Sequence, residues 1–209
     1  MNTITIPSVP LLDGGSIPLV GTGTLFAKGN ELADGLAECI YDGYRLIDTA
    51  AQYANEVAVG EGIRRSSVPR DEIFVTTKVA GSDQGRGLTR HGLEDSLRRL
   101  NTDYVDLLLI HWPNPSRGLA VETWQEMLEL HAEGLVKHVG VSNFLPHQLE
   151  ELYQATGVWP VVDQIQSTGG HSGDSAHWWA LSLGACFGGN LTLISAAANV
   201  AALGLAERA

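Results

Sequence analysis

The chain has 209 residues, with 13 basic and 24 acidic side chains and a formal charge of −11. That length suffices for one domain with a sizeable core but falls short of the roughly 250 residues of a closed eight-stranded α/β barrel, and the acidic balance excludes binding to nucleic acid or an anionic membrane through charge alone. The cysteines, Cys39 and Cys186, match no metal-ligand spacing and read as reduced thiols of a cytoplasmic protein, and the amino terminus has neither the basic segment nor the apolar core of a signal peptide.

Residues 1–16 form a lead-in segment whose Asp13-Gly14 pair marks a hairpin turn. A first strand is predicted over 18–21, leading into Gly23-Thr24, then a helix over 30–41 capped by Asn30, with Leu32, Leu36 and Ile40 on one face. Leu46-Ile47 reads as a buried strand that stops at Asp48 and opens into a loop carrying Tyr53. A second helix over 56–65 turns Val57 and Ile63 inward and places Arg64-Arg65 at its basic end. Residues 73–77 form a strand ending at Lys78. A third helix begins at Thr89, whose hydroxyl can cap it; it buries Leu93, Leu97 and Leu100 while Arg90, Asp95, Arg98 and Arg99 face water. Residues 105–110 form a strand ending at His111-Trp112. A fourth helix over 121–132 offers Trp124, Met127 and Leu128 to the core and is stopped by Gly134. A strand over 139–143, a helix over 146–155 with Pro146 in its first turn, and a sixth strand over 161–166 complete the pattern.

Strand and helix alternate at about thirty residues per unit, which implies a parallel sheet with right-handed crossovers. In such sheets the loops after the strands carry chemistry. Asp48, Lys78 and His111 end three successive strands, with Tyr53 just beyond the first. Each alone has a plainer reading, as a turn residue, a solvated charge or a structural histidine. Their arrival at one edge together points to a site.

The stretches Gly43-Tyr44-Arg45-Leu46-Ile47-Asp48-Thr49-Ala50, Tyr53-Ala54-Asn55-Glu56, Asp103-Tyr104-Val105-Asp106-Leu107-Leu108-Leu109-Ile110-His111-Trp112-Pro113 and Gly140-Val141-Ser142-Asn143-Phe144 resemble the aldo-keto reductase family, in register over residues 1–166. Within it, the short loop at 110–115 looks most like the bacterial 2,5-diketo-gluconate and methylglyoxal reductases. The resemblance implies a (β/α)8 TIM barrel, here incomplete with about six β/α units, that reduces aldehydes and ketones with NADPH, NADH not being excluded. It implies a catalytic tetrad of Asp48, Tyr53, Lys78 and His111, and a cofactor site including Gly23, Thr24, Asp48, Ser142, Asn143 and Gln164. A small-molecule carbonyl substrate and a cytoplasmic monomer follow from it.

The chemistry suits these residue types. A carbonyl that accepts hydride gains negative charge on oxygen and needs a proton donor and dipoles aimed at it. Tyr53 supplies the proton; a free phenol has a pKa of about 10, and a Lys78 ammonium nearby favours the phenolate. Asp48 holds Lys78 charged. A neutral His111 orients the carbonyl, and the polar side chains of Ser142, Asn143 and Gln164 suit a nicotinamide carboxamide. Trp112 and Phe26 are candidate walls of an apolar substrate pocket, and core packing accounts for them equally.

From residue 167 to 209 the composition changes: Asp174, Glu207 and Arg208 are the charged residues, and 175–206 has none. The run from Trp178-Trp179 through Gly188-Gly189-Asn190, with Ala198-Asn199-Val200, resembles a fragment of the arsenite and sodium/proton antiporter type of ion transporter, where helices broken by Gly and Asn face an ion. That reading implies membrane association of this divergent tail, with a membrane-associated fusion or inactive remnant as the alternative function. A second reading makes residues 190–197 a seventh strand of a divergent barrel. With Arg208 as the tail's cation, the basic segment that the family uses for the adenosine 2′-phosphate is not evident. The truncated chain is accordingly expected to bind NADPH weakly and turn over little substrate.

Overall fold

A computed structural model describes residues 6–165 and, beyond them, the backbone of two short strands. The first two strands, β1 (Ser8–Pro10) and β2 (Ser16–Pro18), form an antiparallel hairpin. Its turn is the predicted Asp-Gly pair: Gly14 has φ +88°, and the Asp13 carboxylate accepts the Gly15 N–H at 3.0 Å. Six strands then lie side by side in chain order, every neighbouring pair parallel: β3 (Val20–Gly23), β4 (Leu46–Asp48), β5 (Phe74–Val79), β6 (Val105–Ile110), β7 (Val136–Ser142) and β8 (Asp163–Gln164). Between them run α1 (Gly29–Tyr41), α2 (Glu56–Arg65), α3 (Leu88–Leu100), α4 (Ala120–Ala132) and α5 (Pro146–Thr156). This is a half-barrel. The six expected strands, with the five helices between them, are found up to β8, while β9 (Ala185–Cys186) and β10 (Ala196–Asn199) lie antiparallel beyond β3.

Side-chain alternation along the strands builds two apolar layers. Ile47, Val75, Leu108, Ile110, Val139 and Val141 pack with helix residues such as Leu36, Ile40, Leu97, Trp124 and Met127. Leu46, Leu107 and Leu109 face the other way, onto Val161, Val162 and the hairpin residues Leu11 and Ile17. Burying each such Leu or Ile contributes about 1.5–3 kcal/mol. Inside the curve there is little room: a Cβ on Gly140 would lie 2.7 Å from the Val162 carbonyl oxygen and 2.9 Å from Leu109 Cδ2. The inward parity of Leu46, Leu107, Leu109 and Gly140 continues to Asp48, His111 and Ser142 at the upper strand ends. Packing thus sets which way the polar side chains there point.

Four local readings are corrected. Asn30 does not cap α1, which begins at Gly29 with no side-chain cap; its amide oxygen accepts from Arg65 at 3.2 Å. Thr89 does not cap α3 either, because its hydroxyl donates to the carbonyls of Asp83 and Gly85, both at 3.1 Å. The Glu126 carboxylate, reaching over from α4, takes that role by accepting the N–H groups of Gly87 at 2.9 Å and Arg90 at 3.3 Å. Val57 faces water, since the inward stripe of α2 starts at Glu56 and continues through Val59 and Gly60. Arg99 is more than solvated surface: it donates to the buried Glu56 carboxylate at 2.7 Å, and Thr77 donates to the other carboxylate oxygen at 2.6 Å.

The expectations for residues 167–209, namely the transporter-like segment, its membrane association, the phosphate-site argument from Arg208 and a strand over 190–197, fall outside the described residues, apart from the backbone of β9 and β10. Among the described residues no helix is long and apolar enough to cross a membrane.

Candidate active site

Asp48, Lys78 and His111 meet where β4, β5 and β6 end. Lys78 and Asp48 form an ion pair whose side chains are 2% and 3% exposed. A buried ammonium holds its charge through its partners. Besides the Asp48 carboxylate, Lys78 Nζ donates to the Thr49 carbonyl at 3.0 Å and to the Tyr53 phenol oxygen at 3.4 Å. Tyr53 closes a short 3-10 turn, Ala51–Tyr53, and Ala54 leaves that turn in the left-handed region at φ +53°.

The His111 ring stands edge-on to Tyr53 with centroids 5.7 Å apart. Burial, reinforced by the Lys78 charge and opposed by Asp48, pushes its pKa down to about 4, so the ring is neutral at working pH. Among the described residues its Nδ1 is buried with no hydrogen-bond partner. An unpaired lone pair is more readily tolerated in that position than an unpaired N–H, which favours the tautomer with its proton on Nε2.

The polar ends of β7 and β8 are tied to this cluster. Ser142 donates to the Gln164 carbonyl at 2.8 Å, and Asn143, in the left-handed region at φ +62°, donates to Ser142 Oγ at 2.9 Å and the His111 carbonyl at 3.1 Å. Gln164 donates its amide to the second oxygen of Asp48 at 2.7 Å. Ser142, Asn143 and Gln164, expected around a carboxamide, therefore also brace one another and the ion pair. Their hydroxyl and amide groups offer the mix of donors and acceptors that a carboxamide requires, so the residues present fit that end of a nicotinamide cofactor. Gly23-Thr24 reaches the same edge from β3, with the Thr24 N–H and hydroxyl on the Asp48 carbonyl at 3.0 and 3.2 Å.

Trp112 and Phe26 are 42% and 71% exposed, which removes the core-packing explanation for both. The Trp112 ring lies near-parallel to His111 with centroids 6.4 Å apart, while Phe26 sits at φ +70° in the loop after β3. Left-handed non-glycine residues thus follow β3, β4 and β7 at this edge, as Phe26, Ala54 and Asn143. Strain of this kind clusters at functional sites.

Three buried polar residues at this edge were not singled out from the sequence. Asn55 bridges the loop after β3 to the loop after β4, Glu56 takes the Thr77 and Arg99 bonds, and Gln84 donates to the Trp112 carbonyl at 2.7 Å while accepting from Asn114 at 3.1 Å. Asn55 and Glu56 were visible only as part of the Tyr53-Ala54-Asn55-Glu56 run; Gln84, in a polar loop, carried no signal. Among the described residues no cluster of His, Cys, Asp and Glu could hold a metal ion, and Cys39 is a buried free thiol.

Comparison with known proteins agrees with this geometry. The chain is 44% identical over 158 residues to methylglyoxal reductase DkgA of Escherichia coli K12, covering 76% of the chain and 57% of that protein. It is 44% identical over 161 residues to 2,5-diketo-D-gluconic acid reductase B of a Corynebacterium species, covering 77% of the chain and 58% of that protein. The chain thus spans a little over half the length of these curated relatives. The crystal structure of an aldo/keto reductase from Brucella melitensis superposes with a TM-score of 0.75 at 47% identity, over 78% of this chain and 63% of that one. A Bombyx mori aldo-keto reductase solved in complex with NADP gives 0.71 at 37% identity, over 78% and 59%. Nothing in these comparisons supports the transporter-like reading of the tail. Since residues 20–168 match the aldo/keto reductase family, and the buried Asp48, Lys78 and His111 with the partly buried Tyr53 lie within that span, the chain belongs to the aldo/keto reductase family.

Proposed function

We propose that the chain reduces small aldehydes and ketones to alcohols, with NADPH as hydride donor. The observation that carries this reading is the Lys78 ammonium, sealed against Asp48 and directed at the Tyr53 phenol beside a neutral His111 ring. NADPH, when bound, supplies the hydride. Tyr53 gives its proton to the carbonyl oxygen as negative charge builds there, and Lys78 stabilises the phenolate left behind. His111, protonated at Nε2, donates to the same oxygen and fixes the carbonyl's orientation. Ser142, Asn143 and Gln164 hold the carboxamide, and Gly23-Thr24 lines the approach from β3. The exposed Trp112 and Phe26 flank the mouth as apolar walls.

The choice of NADPH rests on relatives solved with NADP or NADPH, and a small carbonyl substrate on relatives named for methylglyoxal and diketogluconate. The test follows NADPH oxidation with methylglyoxal, beside titration of the purified protein with NADPH monitored by tryptophan fluorescence. Saturable binding, weaker than in a complete reductase, with low turnover that vanishes in Tyr53→Phe is the expected result. Binding without turnover at any aldehyde, or equal turnover in Tyr53→Phe, would overturn it.

A further inference from the structure

The buried polar groups behind the tetrad form a closed circuit of hydrogen bonds. The Asp48 carbonyl accepts the Thr24 N–H at 3.0 Å and its hydroxyl at 3.2 Å. The Thr24 carbonyl accepts Asn55 Nδ2 at 2.7 Å. Asn55 Oδ1 accepts the Thr49 hydroxyl at 3.1 Å. The Thr49 carbonyl accepts Lys78 Nζ at 3.0 Å, and Lys78 returns to the Asp48 carboxylate. Asn55 Nδ2 also donates to the Ala27 carbonyl at 3.0 Å, so two carbonyls fix the amide's orientation and leave its oxygen facing Thr49. Asn55 is buried, and so are Thr24 and Thr49.

We infer that Asn55 is a positioning residue for the proton donor: through the Thr49 hydroxyl it holds the Thr49 carbonyl where that carbonyl and Asp48 together orient the Lys78 ammonium toward Tyr53. An ammonium has three N–H groups in a fixed tetrahedral arrangement, so fixing the acceptors of two sets the direction of the third. The acceptor facing that direction is the phenol oxygen, at 3.4 Å. Asn55 also stands two residues beyond Tyr53, across the left-handed Ala54, so its three bonds anchor the turn that carries the phenol. A hydrophobic residue at 55 would take the side-chain donor from the Ala27 carbonyl and leave the Thr24 carbonyl with the Ala27 N–H at 3.3 Å, and an aspartate would set a carboxylate against both carbonyls.

The inference rests on the reading of Tyr53 as proton donor, and its test separates the two. Protein labelled with 13C at the tyrosine Cζ is titrated by NMR, the Tyr53 signal being the one absent from Tyr53→Phe. Thr49→Val removes the hydroxyl without changing side-chain shape and leaves the backbone carbonyl in place; Thr49→Ser keeps the hydroxyl. Tyr53 is expected to titrate higher by about half a pH unit or more in Thr49→Val and in Asn55→Ala, with kcat/KM lowered about threefold or more, and to titrate as in wild type in Thr49→Ser. A lowered Tm in Thr49→Val with an unchanged Tyr53 titration would reduce Asn55 to a structural role and overturn the inference, even if Asn55→Ala does not fold. Undiminished turnover in Tyr53→Phe would instead overturn the proton-donor reading, whatever the titrations show.

Discussion

Gln164 donates its side-chain amide to Asp48 at 2.7 Å although the residues are 116 positions apart and lie on strands with three others between them. In a flat sheet, four strand spacings would separate β4 and β8 by about 19 Å, beyond the combined reach of a glutamine and an aspartate. The contact is therefore a chord across the inside of a curled sheet. It also satisfies the second oxygen of a carboxylate whose first oxygen is taken by Lys78. A hydrogen bond to a buried charge is worth about 1.5–3 kcal/mol, and replacing the donor leaves the acceptor unpaired. Gln164→Leu is expected to lower unfolding free energy by about 2 kcal/mol, read as a shift in urea midpoint at constant slope. A midpoint within error of wild type would mean that the chord contributes nothing to holding the curve.

Tyr53→Phe removes the proton donor while keeping the ring that stands edge-on to His111. Turnover should fall by a factor of about 100 or more while NADPH affinity stays within about twofold, since the phenol acts in the transition state and not in holding the cofactor. A comparable loss of NADPH affinity would move Tyr53 from proton transfer to binding.

What could be read in the amino-acid sequence was whatever repeats or punctuates. Leu46-Ile47 and the 107–110 run are apolar because both faces of a parallel strand are buried, and each ends in a polar residue; the six strands and Asp48, Lys78 and His111 follow from that. Asn55, Glu56 and Glu126 were opaque for the opposite reason. A polar side chain on a turn or helix reads as solvated unless its distant partners are known, and these partners lie 31, 43 and 39 residues away, at Thr24, Arg99 and Gly87. The cap of α3 failed in the same way: Thr89 is a good local candidate, yet a carboxylate from another helix offers two acceptor oxygens to the free N–H groups.

Asp163 is the outward partner of the inward Gln164, set in the apolar layer with its carboxyl accepting the Phe144 N–H at 3.3 Å. Burial pushes its pKa up from 3.8 to about 7, against the opposing pull of the backbone N–H groups of Phe144 and Asn143. The folded state therefore holds this proton to higher pH than the unfolded chain does. Its contribution to stability is fully present below pH 3.8 and is lost as pH rises to about 7. Asp163→Asn stays neutral and keeps an acceptor for Phe144, so it should remove that fall. Urea midpoints at pH 5 and pH 8 should differ less in the variant than in wild type; an equal difference in both would show that Asp163 ionises in the fold without penalty.

His111 makes the opposite case, because burial and the Lys78 charge pull a base down and leave it neutral above about pH 4. Two consequences follow, one for stability and one for rate. Unfolded histidine takes up a proton at its ordinary value of 6.5, so the unfolded chain binds more protons than the native one between pH 6.5 and about 4, and stability falls as pH falls through that window. His111→Gln, which keeps an N–H donor but cannot be charged, should lose part of that acid dependence in urea unfolding between pH 7 and pH 5. For the rate, a histidine that must be neutral to orient the carbonyl would impose an acid limb near 6.5 if it titrated normally. Here kcat/KM should show no His111 limb between pH 5 and pH 8, because the ring has already lost its proton across that range. A limb near 6.5 in wild type that disappears in His111→Gln would mean that the Lys78 charge and burial do not hold the ring neutral, and that its protonation switches the reaction off.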